Sequence, residues 1–259
     1  MTDKSVLDTL TDIQGLLEEI QEGVSTTETA SNGEKRTHVA FVLDESGSMG
    51  SIREAAIDGF NEQVNAVKEN ADKGGDTTVS QWRFGCPPDA RPKEVYFEQP
   101  VSGLLPISHE TYQPYGMTPM YDGLGMALTK LEPLDKAGDI GFLVVLVSDG
   151  QENASQEWTS PMVADKIKKL QDTGRWTFVY IGANHDLADV SKHLGIPMGN
   201  MIAFAATKMG TQKVSDFASA STADYMANRA RGQTASVAYT GNEGEVTTVN
   251  EDGTTKTST

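Results

Sequence analysis

Two nearly continuous apolar runs, each leading into an aspartate, restrict this chain more than any other feature. His38-Val39-Ala40-Phe41-Val42-Leu43 runs into Asp44, and residues 140–147 (IGFLVVLV) run into Ser148-Asp149. A strand with one wet face alternates apolar and polar residues. A strand that stays apolar is covered on both faces, as in a parallel sheet between helical layers. The intervals carry helical spacing. Ile52, Ala56, Phe60, Val64 and Val67 share one face over residues 51–69. Strands are predicted at 77–84 and 94–98, joined as a hairpin by the Pro-rich turn 86–92. Thr118-Pro119 reads as N-cap and first position of a helix reaching Leu131. A helix at 159–172, a strand at 176–182, a short helix at 184–194, a strand at 200–205 and a helix within 210–231 complete the pattern. Alternating strands and helices predict an α/β fold: a doubly wound, mostly parallel Rossmann-like sheet with helices on both faces.

The ends differ from this middle. In residues 1–36, Val6, Leu10, Ile13, Leu17 and Ile20 make a heptad seam over 4–22, followed by a polar linker at 23–36. About two heptads are too few for a lasting coiled coil alone. The amphipathic helix therefore packs on its own domain, pairs with another copy as a homo-oligomer, or docks on a partner. Residues 37–231 form the expected domain. Residues 232–259, rich in Thr, Gly, Asn and Glu, read as a disordered tail or one weak hairpin.

Composition removes several functions. The 259 residues hold one cysteine, Cys86, so neither an internal disulfide nor a multi-cysteine zinc site can form. A formal net charge of −16 opposes nucleic acid and anionic membranes as partners. No basic-then-apolar leader and no run of about 18 apolar residues occurs, which predicts a cytoplasmic protein, virion-associated if the chain is phage-encoded.

Three short segments hold the chemistry: Asp44-Glu45-Ser46-Gly47-Ser48-Met49-Gly50, Gly116-Met117-Thr118-Pro119, and Ser148-Asp149-Gly150. Two of them follow the most apolar strands. In open α/β sheets, ligands bind beyond the carboxyl ends of strands where strand order reverses. Two carboxylates and three hydroxyls form a hard oxygen set, suited to Mg²⁺, with Mn²⁺ or Ca²⁺ as alternatives. Asp-x-Ser-x-Ser in a turn lets its side chains curl toward one point.

These segments resemble the metal-ion-dependent adhesion site of von Willebrand factor A domains, over about residues 37–231. The resemblance implies metal ligation by Ser46 and Ser48 directly, by Asp44 usually through water, and by Thr118 and Asp149 directly or through water. Residues 116–123, 149–155 and 181–186 are similar to stand-alone bacterial and bacteriophage members. Many members have Gly-Gly-Thr where this chain has Gly116-Met117-Thr118. The implied function is metal-dependent binding of a partner protein through its exposed Asp or Glu, with Met49, Arg53, Tyr115, Met117, Gln151 and Trp158 as the rim.

Other readings are an accessory subunit of an AAA+ ATPase machine and a phage structural or assembly protein. Catalysis is not expected. The four histidines are scattered, and neither a Gly-x-Ser-x-Gly elbow nor a P-loop occurs. Glu45 is left outside the ligand set.

Overall fold

Strand β1 (Arg36–Asp44) occupies the middle of the sheet, between β2 (Asp76–Phe84) and β4 (Ile140–Ser148). The structure, a computed structural model, describes residues 35–258 apart from 88, 138–139, 150–151, 184–186, 205–207, 234, 236–238, 242–243 and 251. Beyond β2 lies β3 (Lys93–Pro100). Beyond β4 follow β5 (Trp176–Ala183), β6 (Met201–Phe204), β7 (Val246–Val249) and β8 (Thr255–Ser258). The order is β3-β2-β1-β4-β5-β6-β7-β8. From β2 to β7 every neighbouring pair is parallel, and β3 and β8 close the two edges antiparallel. The chain winds outward from β1 through β2 to β3, then returns beside β1 to build the other half. β1 and β4 therefore form the switch point.

Among the described residues five α-helices cover the faces: α1 (Arg53–Asn70), α2 (Met120–Leu131), α3 (Ser160–Gln171), α4 (Leu187–Leu194) and α5 (Lys208–Ala230). The pleat sorts β1 between two cores. Val39, Phe41 and Leu43 meet Phe60, Val64 and Val67 of α1 and Val214 and Met226 of α5. Ala40 and Val42 meet Leu124 and Leu128 of α2 and Val163 and Ile167 of α3. Phe142 stacks on Trp176 with centroids 3.9 Å apart and planes 6° apart. Burying each such ring contributes about 1.5–3 kcal/mol.

The α/β doubly wound sheet expected from the apolar runs is present. Its details depart from the sequence expectations in four places. Arg36, assigned to the linker, begins β1, where its backbone pairs with both β2 and β4. Pro119 rather than Thr118 caps α2, because Thr118 is drawn into a neighbouring loop. The last helix starts at Lys208, ahead of the expected window. Within 232–259, β7 joins β6 in parallel and pairs with β8, so a hairpin extends the sheet where disorder was one expectation. Polar Thr-rich strands bury through a neighbour, not through their own hydrophobicity; Thr247 is fully buried. The heptad seam at 4–22 and the linker to residue 34 lie outside the described residues. Among the described residues no helix is long and apolar enough to cross a membrane.

Candidate metal centre

Parallel register places the ends of β1 and β4 side by side: Leu43 pairs with Val147, so Asp44 and Ser148 emerge together. The Ser148 hydroxyl donates to Asp44 Oδ2 at 2.5 Å, and the Ser46 amide donates to Asp44 Oδ1 at 2.7 Å. The Ser46 and Ser48 hydroxyls are 3.2 Å apart, and Ser48 Oγ donates to Asp149 Oδ1 at 2.8 Å. Four of the five expected ligands thus form one continuous chain of hydrogen bonds.

Thr118 is brought in by its backbone. The Gly47 amide donates to the Gly116 carbonyl at 3.1 Å. Asn153 clamps Thr118 from the other side: its Oδ1 accepts the Thr118 amide at 2.9 Å, and its own amide donates to the Thr118 carbonyl at 3.2 Å. All three loops are tied together. Asp44, Ser46 and Thr118 are buried, Asp149 is half-buried and Ser48 is exposed, so the cluster opens toward solvent on the Ser48 side.

Electrostatics suits a cation here. Burial pushes the Asp44 carboxyl up to about 6, against the hydrogen bonds from Ser148 and Ser46, and the nearby charge of Asp149 raises it further. Among the described residues no cationic side chain pairs with Asp44. Nor do three or more His, Cys, Asp or Glu side chains gather as a metal site. Hydroxyls complete the donor set instead, the composition that favours a hard ion keeping some of its waters.

Glu45 turns away from the cluster, as expected. It is buried, and its Oε2 lies 3.6 Å from Arg83 Nη1 and 3.9 Å from Lys93 Nζ. Its Oε1 accepts the Gln113 amide, and its carbonyl accepts the Tyr115 amide at 2.8 Å. Arg83 also donates to the Thr111 carbonyl, and the Tyr112 hydroxyl donates to the Asp44 carbonyl. Burial and the charges of Asp44 and Glu45 push the Tyr112 phenol far up, which keeps it a donor. Residues 111–115 are therefore fastened to the Asp44–Ser46 turn.

The expected rim divides. Tyr115 and Met117 are 49% and 55% exposed. Met49 is 1% exposed and belongs to the core, a correction that follows from its place in the 3₁₀ turn Gly47–Ile52, where it points inward. Arg53 is half-buried and donates to the carbonyls of Tyr112 and His109, which ties it to that loop. Trp158 is half-buried and packs on α2; a Cβ on Gly125 would lie 2.2 Å from its ring. Gln151 lies outside the described residues.

Several supporting residues escaped the sequence reading. Ser148 stands in one of the three segments but carries no assigned role in the sequence. Asn153 gives no local signal, because its bond spans 35 residues. Glu152 accepts the Tyr121, Ala154 and Ser155 amides, and Asp122 accepts those of residues 156–158, which locks the loop after β4 to the first turn of α2. An acidic residue in a helix's first turn is a visible cue for Asp122. Gly85 sits at φ +77°, and a Cβ there would lie 2.6 Å from the Ser46 nitrogen. Only glycine permits that approach.

No protein-family model matches the chain, and no curated protein matches it. Among solved structures it is similar to the pilus adhesin SpaC from Lactobacillus rhamnosus GG, with a TM-score of 0.53 and 12% identity over 75% of this chain and 31% of that one. The vWF domain of the type V pili tip protein Mfa5 from Porphyromonas gingivalis overlaps with a TM-score of 0.47 and 10% identity, over 71% of this chain and 95% of that one. Manganese-loaded TRAP protein from Plasmodium vivax overlaps with a TM-score of 0.47 and 16% identity, over 67% and 70%. The chain spans about a third of the SpaC chain it matches. At such identity the likeness to SpaC shows a shared fold.

Proposed function

We propose that this domain is a non-catalytic, metal-dependent protein-binding module in which Asp44, Ser46, Ser48, Thr118 and Asp149 hold one divalent ion, Mg²⁺ by preference over Mn²⁺ or Ca²⁺. The observation that carries the reading is the hydrogen-bonded chain Asp44–Ser46–Ser48–Asp149 at the switch point between β1 and β4. When bound, the ion supplies a Lewis-acidic position that an external Asp or Glu can fill. The protein's part is to fix the oxygens. Asp44 is oriented by the Ser46 amide and the Ser148 hydroxyl, and Asn153 holds the Thr118 backbone. Three of the five ligands are neutral hydroxyls, so a shell position left to water can pass to an external carboxylate, a stronger donor to a hard ion than a neutral group.

The described histidines support binding over catalysis. His38 is buried against Thr78 and Ser80, His109 pairs with Glu54, and His193 pairs with Asp189. None of these pairings involves the Asp44–Asp149 cluster, and hydrolysis needs a positioned base.

The test uses a resin carrying peptides with a single exposed Glu and a matched resin carrying Gln. Retention on the Glu resin alone, with Mg²⁺ and not with EDTA, is expected. Retention unchanged by EDTA or by Ser46→Ala plus Ser48→Ala would overturn the proposal.

A further inference from the structure

A groove of about 1070 Å³ follows the outward face of α2, starting at the loop that carries Thr118. Asp122, Met126, Thr129 and Lys130 form its floor, at the i, i+4, i+7, i+8 spacing of one helical stripe. One wall is the turn 89–92, and the other is the loop 154–158 with Trp158. Tyr115 and Met117 stand at the end nearest the metal cluster.

Its lining sets it apart from the remaining surface. Tyr115, Met117 and Met126 are 49%, 55% and 36% exposed, three of the seven large apolar side chains exposed among the described residues. Exposed apolar groups gathered in one place mark contact surfaces. Methionine adapts to the shape of an incoming side chain. The groove's two cations are already paired with carboxylates, Arg91 with Asp89 at 3.8 Å and Lys130 with Glu94 at 3.6 Å, and Glu157 also lines it, so apolar contact rather than charge distinguishes the groove. Asp122 adds no free acceptor on the floor, since both its oxygens hold backbone amides of the loop wall.

We infer that this groove receives an extended segment of the partner protein, running from the metal-bound carboxylate along α2 and placing an apolar side chain on Met117, Met126 and Trp158. The inference rests on the proposed metal-dependent binding and adds the partner's sequence pattern. Continuity selects this occupant: Gly116 and Met117 belong both to the groove and to the loop carrying Thr118. Length sets the register. The twelve residues of α2 rise about 18 Å, which an extended chain spans in about five to six residues. The apolar residue should then follow or precede the metal-bound acid by about three to four positions.

The test is selection of a random linear peptide library on the full-length protein in Mg²⁺, repeated on Met126→Glu. Met126 is at the surface, so this variant keeps the fold, which its unchanged thermal midpoint would verify. Expected on the native protein is enrichment of peptides with one Asp or Glu and an aromatic or long aliphatic residue at that fixed spacing, all released by EDTA. On Met126→Glu the acid should persist, the apolar preference should vanish, and affinity for the selected peptides should fall about tenfold, the scale of one buried side chain. EDTA-sensitive peptides with an acid and no apolar preference would overturn the groove and leave the metal reading standing. Peptides indifferent to EDTA, or no enrichment at all, would overturn both.

Discussion

Ser48 donates a hydrogen bond of 2.8 Å to Asp149, joining the turn after β1 to the end of β4 across 101 residues of sequence. Both side chains reach solvent, so the contact contributes little to the fold. Its consequence is positional: it sets two oxygen ligands at the open side of the cluster.

Ser48→Ala and Asp149→Asn should therefore separate binding from stability. Titration calorimetry should show Mn²⁺ and Mg²⁺ affinity reduced about tenfold or more in each, the scale of losing one ligand or its orientation. Urea midpoints without metal should stay within about 0.5 kcal/mol of the native protein, as for surface changes generally.

Asp44 opposes stability when charged and metal-free. Its carboxyl, ordinarily near 3.8, is pushed up to about 6. Between these values the folded protein holds a proton that the unfolded chain has released. The stabilisation from that proton is complete below about pH 3.8 and is lost as pH rises through about 6. His38 acts in the opposite sense. Burial and the charge of Arg36 push it from 6.5 down to about 3, so its contribution is present above pH 6.5 and is lost as pH falls toward 3. In EDTA, Asp44→Asn should remove the Asp44 dependence, and its stability relative to the native protein should rise between pH 4 and 7. The final advantage should be about 2–3 kcal/mol, from roughly two units at 1.4 kcal/mol each. Urea unfolding across this range reads it directly. Mg²⁺ binding at pH 5 should also release a proton, visible as a buffer-dependent enthalpy.

Glu45 is predicted to be structural in spite of its place inside the motif. With Arg83 it forms an ion pair whose side chains are 2% and 5% exposed. Glu45→Ala leaves the guanidinium buried without its carboxylate and should cost about 3 kcal/mol, the scale for breaking such a pair. Glu45→Gln keeps an acceptor for the Gln113 amide and should recover part of that loss in chemical denaturation.

Asn153→Ala should weaken Mg²⁺ binding severalfold while costing about 1 kcal/mol of stability, one hydrogen bond's worth. Its side chain orders the Thr118 loop without being a ligand. Undiminished affinity on calorimetry would show that Thr118 needs no such clamp.

What the sequence disclosed follows from how each contact is encoded. Buried parallel strands write themselves as apolar runs, so β1, β4 and β5 were plain, and with them the switch point. Asp44, Ser46 and Ser48 were legible because a turn packs them into five residues. Thr118 and Asp149 were found as ends of neighbouring elements. Contacts between distant loops leave no such trace. Asn153 to Thr118, Arg83 to Glu45 and Ser148 to Asp44 depend on register, which pattern alone does not give. Met49 was misplaced on the rim because a 3₁₀ turn, unlike a regular helix, has no long periodicity to reveal its inward face. β7 and β8 carry few apolar residues, and their strand character comes from the neighbour β6.

The most direct measurement is amide-resolved NMR during titration with Mn²⁺, whose unpaired electrons broaden signals near the bound ion. Selective broadening at residues 44–48, 116–118 and 148–149, reversed by excess Mg²⁺, is the expected result. Broadening confined to other acidic patches, or none at these three loops, would contradict it.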